Sequence, residues 1–446
     1  MISYWKGLKM NFIENYFGIT KSGSNLYKEL VAGVTTFFAM SYILFANPAI
    51  LSEAGMDKHA QFTATAVATI FGCLVMGIYA RLPFALAPGM GLNAFFASTV
   101  CISLGHSWKF ALTAVFVEGI IFFLLSLFNL RKLVVNMIPR SLQLAFCPGV
   151  GFFIAFIGLR QAGIVGMENS ISSFENLTNP NVLLTCLGIL IMGVFYVKKV
   201  YVGMIFGVML LTIISLSFGV TKIDTFFSAP PSLSGTMLQF DFSQVLSYDF
   251  ICVVLLLLSV NIFDTTGTFL GISNSNHAEG LLDDSGYLKN IKKAYTAGSL
   301  AATFGAMAGT STTTTYIESS VGVSVGGRTG ITSIVTAVCF IISLFSFPLL
   351  SAVPPAAVAA MLIFAGYNIF MSPAFKNLDH NDYSESIPAY ITIIMMPFAH
   401  SIVEGISFGL LSYVLINAFA GNFHKISVGT YCIAAFFAIR YVILGM

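Results

Sequence analysis

The chain is threaded by apolar runs, and these constrain its fold more than any other feature. They fall near 31–50, 62–80, 84–100, 109–128, 142–160, 181–197, 201–219, 248–272, 294–308, 310–324, 329–350, 354–371, 386–400 and 403–420. At ~20 residues per span, fourteen such runs read as about fourteen membrane crossings, some short or broken by Gly and Pro. Charge between them is scarce. Asp, Glu, Lys and Arg make up 9% of 446 residues, against about 25% in soluble domains. The expected class is an all-α polytopic membrane protein with the lipid bilayer as its solvent. A further run, 427–444, follows His424-Lys425. It fits either a fifteenth span or a segment packed along the bundle.

Basic residues set the orientation. With the N-terminus inside, sixteen Lys and Arg fall on the inner side and four on the outer: Lys58, Lys109, Arg160 and Lys222. Arg440 is left unassigned. The expected location is the cell (plasma or inner) membrane, multi-pass, with a cytoplasmic N-terminus. The first residues lack a secretory apolar core and suit a short helix on the inner surface. A net charge of +2 is too small to suggest a nucleic-acid partner. The seven Cys are scattered, without metal-ligand spacing, and read as small core residues. The absence of a Walker loop and a nucleophile elbow argues against an enzyme or an ATP-driven pump. No cofactor is expected.

One segment departs from its surroundings. Residues 309–330 read GTSTTTTYIESSVGVSVGGRTG, a run of hydroxyls and a carboxylate between long apolar stretches. In lipid such groups need partners that water cannot supply, so the segment faces a protein-lined cavity or leaves the membrane. The β-branched run Thr312–Thr315 favours an extended backbone. The hydroxyls before Ile317-Glu318 are good N-caps, which predicts a half-helix with Glu318 in its first turn. Free amides and a positive dipole at that end would face a ligand.

The chain echoes itself. ATAVATIFGCLVMG (64–77) resembles TAGSLAATFGAMAG (296–309), GMIFG (203–207) resembles GISFG (405–409), and Ile138-Pro139 is echoed by Val353-Pro354. The order is the same in both halves. Each half holds about seven spans, an odd number, so the halves insert with opposite topology. Inverted repeats with broken helices at matching places point to a transporter's binding site. Here those places are LAPGMGLNAFFA (86–97) and the 309–330 segment.

Asp264, in VNIFDTTGTFLG, lies midway along its run. A carboxylate at that depth is expensive, marks function by default, and suits a group that takes up and releases a proton. Thr265, Thr266 and Thr268 offer a polar face beside it. Glu318 is the second acid, flanked by Thr315 and Ile317. Asn93 offers both a donor and an acceptor. Pro88, Gly89 and Gly91 break the first helix and let backbone approach a ligand. Phe37, Phe38, Tyr42 and Phe95 are candidates for stacking on a flat ligand. Glu118, mid-span in 109–128, either ties helices together or relays protons. Glu404, after His400, reads as solvated or structural. His277, Asp283, Asp284 and Lys289 read as a solvated linker.

These segments carry a resemblance. TTFFAMSYILFANPAIL (35–51), ALAPGMGLNAFFA (85–97), FIAFIGLRQAGIV (153–165), FDTTGTFLG (263–271), 309–330 and MMPFAHSIVEGISFG (395–409) resemble the nucleobase–cation symporters of the xanthine/uracil permease superfamily. They are most similar to its azaguanine-resistance branch, which carries guanine, hypoxanthine and adenine. The resemblance implies a 7+7 inverted-repeat fold with short β-strands and half-helices in spans 3 and 10. It implies a core domain (30–130 and 248–350) and a gate domain (131–247 and 351–421), flanked by segments 1–29 and 422–446. It implies that Asp264 and Glu318 hold the base, that Gly91 and Asn93 contact it, and that members often form homodimers. Thr268 stands where uracil-type members have His. The chain departs from the branch at Phe146-Cys147-Pro148.

The expected function is import of a purine nucleobase by proton symport, with core rocking against gate. Asp264, Glu318, Asn93, Gly91, Thr268, Thr315 and Ile317 are the candidate substrate-binding residues. Asp264 and Glu318 are the candidates for proton coupling. An anion carrier of the related sulfate or bicarbonate type predicts a basic residue at the centre, and none falls in 258–268 or 310–320. An uncoupled facilitator or channel would ignore a proton gradient.

Overall fold

The structure, a computed structural model, describes residues 14–128, 138–165, 179–198, 203–218, 221, 225, 227–273, 280–282, 288–371, 376–379, 381–399 and 402–444. The expectations for His277, Asp283, Asp284, His400 and the start of the N-terminal surface segment lie outside these residues.

Lipid gives the backbone no water to bond, so apolar runs close their own hydrogen bonds as helices. The first span is α1 (Leu26–Met40) and α2 (Ile43–Glu53), interrupted by a turn at Ser41-Tyr42. Then come α3 (Lys58–Val75), which widens into a π-helical turn through Ala80, and the strand β1 (Leu86–Pro88). α4 (Met90–Ala94) continues as a π-helix to Ser103. α5 (Trp108–Leu127), α6 (Arg140–Gln161), α7 (Pro180–Val197) and α8 (Gly203–Ser217) complete the first half.

The second half repeats this order. It has α9 (Tyr248–Ser273), α10 (Ile291–Ala308), β2 (Thr313–Thr315), α11 (Ser319–Ser324) and α12 (Gly330–Leu344). The short α13 (Phe347–Ser351), α14 (Pro355–Phe370), α15 (Tyr383–Phe398) and α16 (Ile402–Phe419) follow. The final apolar run forms α17 (Val428–Leu444), which packs on α16. Tyr441 there donates its hydroxyl to Glu404, giving that acid a structural partner.

The sequence echoes fall on equivalent spans: α3 with α10, α6 with α14, and α8 with α16. Their partners meet across a pseudo-two-fold. Phe71 and Phe304 occupy matching places in α3 and α10 and stack on each other, with centroids 4.0 Å apart. The neighbouring glycines make room for the strands. A Cβ on Gly72 would come within 2.9 Å of Leu86 Cβ, and one on Gly305 within 2.6 Å of Thr313 Oγ1. α6 and α14 cross backbone to backbone. A Cβ on Gly151 would lie 2.6 Å from the Gly366 carbonyl, and one on Gly366 would lie 2.5 Å from the Gly151 carbonyl. Only small residues allow helices so close.

Packing divides the elements into two groups. In one, α1 packs on α12, α3 on α10 and α12, and α5 on α9 and α10. In the other, α6 packs on α14 and α15, α7 on α14, and α15 on α16. The strands belong to the first group and face the second.

Candidate functional site

The site is built around the strand pair. β1 and β2 run antiparallel, with Leu86 opposite Thr315, Ala87 opposite Thr314 and Pro88 opposite Thr313. Equivalent strands related by an in-plane two-fold must pair this way. The pair is extended at both ends, where Gly89 N donates to Thr312 O and Tyr316 N to Ala85 O. Each strand then turns into its helix, and the two helices leave in opposite directions. Pro88 sits at a strand end, where its missing N–H costs no ladder bond.

A cavity of about 200 Å³ opens where the turns meet. It is smaller than the ~300–1,000 Å³ typical of drug-sized pockets, which suits a small flat ligand. The first half contributes Tyr42 and the Gly89–Leu92 turn. The second contributes Asp264 and Thr268 from α9 and Thr314–Glu318 from the strand and its turn. The opposite wall comes from the other packing group: Phe146, Cys147 and Val150 of α6, and Asn368 of α14.

The two acids expected at the centre both open on this one cavity. Tyr42 donates its hydroxyl to Glu318 Oε1 at 2.6 Å. Thr314 lies beside Asp264. Tyr316 lines the cavity, and its hydroxyl is tied to Pro88 O at 2.6 Å. The described lining holds no Lys, Arg or His. Two carboxylates without a cation favour a ligand that donates hydrogen bonds.

Of the other candidates, Gly91, Thr268, Thr315 and Ile317 also line the cavity. Asn93 does not. It is fully buried, and its Oδ1 accepts from Ser311 in the strand's lead-in, so it ties the two broken spans together behind the lining. Asn93 lies one turn further into the helix than Gly89 and Met90, beyond the lining. Thr265 and Thr266 are not in the lining either: Thr265 bonds to Asn261 and to the cavity-lining Thr314, and Thr266 bonds to Tyr295.

The N-terminus of α11 also differs from expectation. Glu318 precedes the first helical residue, with φ −58° and ψ −18°, and no side chain caps the end. Tight three-residue bonds replace the cap: Ser319 N to Tyr316 O, Ser320 N to Ile317 O and Val321 N to Glu318 O. Ser319 Oγ instead accepts from Ala85 N, pinning the turn to the first strand.

The aromatic candidates sort by position. Tyr42 reaches the cavity, Phe95 is buried in the core, Phe37 packs on Phe340, and Phe38 is exposed. Sequence reasoning missed Tyr316, Phe146 and Asn368. The last had a visible signal, as a lone carboxamide inside the apolar run 354–371.

A cavity at the crossing of two broken, symmetry-related spans defines a membrane transporter of the seven-plus-seven inverted-repeat class. The transmembrane domain of a cyanobacterium bicarbonate transporter, BicA, has the same architecture. Its TM-score is 0.64 at 15% identity, covering 85% of this chain and 97% of that one. Residues 27–408 match the permease family Xan_ur_permease, and the chain belongs to this xanthine/uracil permease family. The adenine permease AdeQ of Escherichia coli (strain K12) is 37% identical over 97% of this chain and 96% of its own. The guanine/hypoxanthine permease PbuO of Bacillus subtilis (strain 168) is 39% identical over 96% and 100%. The protein is a permease, not an enzyme.

Proposed function

We propose that the protein imports purine nucleobases, guanine and hypoxanthine or adenine, by proton symport. The observation that carries this reading is the opening of Asp264 and Glu318, from two separate elements, on one small cavity whose described lining holds no basic residue. Ring N–H groups of a flat base would donate to the two carboxylates. The first-turn amides of α4, at Met90–Leu92, which have no intrahelical partner, would donate to its acceptors. Thr268, Thr315, Gly91 and Ile317 would shape the pocket, with Tyr42 holding Glu318 in place. Two carboxylates on one small cavity resist carrying two charges, so a proton bound by the pair would travel with the base.

Movement would come from the group carrying the strands, the core, rocking against the group of α6–α8 and α14–α16, the gate. The likeness to purine permeases supports the substrate class. The acidic, cation-free lining argues against the anion-carrier alternative. A homodimer in the cell membrane, with the N-terminus inside, completes the reading. Asp264→Asn keeps the shape but removes the charge. It is expected to abolish uptake of labelled hypoxanthine while the protein still reaches the membrane. Normal uptake would remove Asp264 from the mechanism.

A further inference from the structure

Among the described residues, two carboxylates outside the cavity are fully buried, Glu29 and Glu118, and they differ. Glu29 accepts from Arg328 N, Thr329 N and Thr332 Oγ1, at 2.9, 3.3 and 2.6 Å. It is a satisfied cap on α12. Glu118, on α5, accepts at Oε1 from Asn261 Nδ2 at 2.9 Å. Its Oε2 completes no hydrogen bond, and neither does the buried Thr312 Oγ1 beside it.

No described cation compensates Glu118. Its own helix carries Lys109, nine residues or about 13 Å along the axis. α9 carries Asp249 near its start and Asp264 one turn past Asn261. α10 meets this level at Thr303, against Gly119. Its Lys292, Lys293 and Tyr295 lie about 12–16 Å further along. The π-helical stretch after α4 adds only Cys101. An ionised carboxylate there would have only neutral donors and no opposite charge, so desolvation disfavours it. The pair can serve either protonation state: a neutral acid donates Oε2–H to Thr312 Oγ1, and a charged Oε2 accepts from the Thr312 hydroxyl.

The site also connects to the cavity. Asn261 Oδ1 accepts from Thr265 Oγ1 at 3.3 Å, and Thr265 shares a bond with Thr314 at 3.0 Å. Thr314 lies beside Asp264. Each hydroxyl has one hydrogen to give. When Asp264 is charged, Thr314 turns toward it, Thr265 can turn to Thr314, and Asn261 loses its donor. When Asp264 is neutral or engaged by a ligand, Thr314 and Thr265 both point back toward Asn261.

We propose that Glu118 is a second proton-binding site, coupled to the substrate cavity through Asn261, Thr265 and Thr314. This rests on the proton-symport reading above. The test uses the full chain in proteoliposomes, with labelled hypoxanthine, in two assays: exchange at equal pH, and accumulation driven by an inward proton gradient. Glu118→Gln keeps an acceptor for Asn261 and adds a donor for Thr312. It is expected to retain exchange, lose gradient-driven accumulation and flatten the pH profile. Thr312→Val is expected to shift that profile while exchange persists.

Full accumulation with an unchanged profile in both variants overturns the proposal. So does loss of exchange together with accumulation, which would make Glu118 structural. Accumulation by the wild type that follows a sodium gradient at fixed pH overturns it as well. A wild type that exchanges no purine sinks the transport reading first, and this one with it.

Discussion

The two broken spans share a backbone plan and differ in chemistry. β1 is Leu-Ala-Pro, followed by Gly89 and Gly91, and its helix runs on through wide turns to Ser103. β2 is three threonines, followed by Tyr316-Ile317-Glu318, and its helix ends after six residues. The first broken span offers space and bare backbone. The second offers hydroxyls and a carboxylate. An inverted repeat therefore supplies the frame twice and the polar groups once, which gives one binding cavity rather than two.

The glycine half is the place to break this comparison most severely. A Cβ on Gly91 would lie 2.4 Å from Val150 Cγ1 on α6, in the opposite wall. Valine is stiff at χ1 and cannot swing aside cheaply. Overpacking of this kind costs about 1–3 kcal/mol. Gly91→Ala is expected to lower hypoxanthine uptake by about tenfold, the factor that corresponds to ~1.4 kcal/mol. Adding Val150→Ala should recover much of it. Full uptake by the single variant would mean that this close approach is no part of the transport cycle.

Asn93 sharpens the comparison with a smaller effect. Its bond to Ser311 joins the two spans behind the cavity. Asn93→Ala leaves a buried hydroxyl without its acceptor, worth about 1–3 kcal/mol of stability. The expected outcome is reduced thermal stability of the purified protein with KM for hypoxanthine little changed. A large rise in KM at unchanged stability would place Asn93 in ligand contact after all.

What was legible in the chain follows from which forces act locally. Lipid imposes its demand on every span separately, so the apolar runs and the odd-numbered halves could be read directly. Thr312–Thr315 announced an extended segment through β-branching, and Asp264 and Glu318 stood out as costly charges. The pairing of β2 with β1 was not legible from the residues, because three-residue strands carry no register signal and their partner lies in the other half. Tyr42 was visible as an aromatic, but its hydroxyl bond to Glu318 depends on the turn at Ser41-Tyr42 that aims it. Glu318 was expected inside a capped helix, whereas the Tyr316–Ser319 turn uses backbone bonds and lends Ser319 to the first strand. Asn93 has the right chemistry for a ligand, but its carboxamide oxygen is taken by Ser311 of the other half, a partner that its own neighbours in sequence do not announce.

The asymmetry between halves extends to the periphery, where the smallest effect is expected. α7 and α15 are equivalent, and each begins with a side-chain cap: Asn179 accepts from Asn181 N, and Asp382 from Ser384 N. Only the second is charged, and it pairs with Lys425 at 2.7 Å. The Lys425 ammonium, then the Ser384 hydroxyl, push the Asp382 carboxyl down to about 2. Its unfolded value is about 3.9. A depressed carboxylate stabilises the fold above the unfolded value and loses that contribution as pH falls through the folded one. The contribution is thus whole above about pH 4 and fades toward about pH 2. The pair is partly exposed, so its worth lies at the low end of ~0.2–1 kcal/mol. Asp382→Asn copies the neutral cap of the first half. It should barely change the melting temperature at neutral pH and should remove the part of the acid sensitivity that falls between about pH 4 and 2. An acid-melting profile identical to the wild type would mean that the two helix ends, charged and neutral, are energetically equivalent.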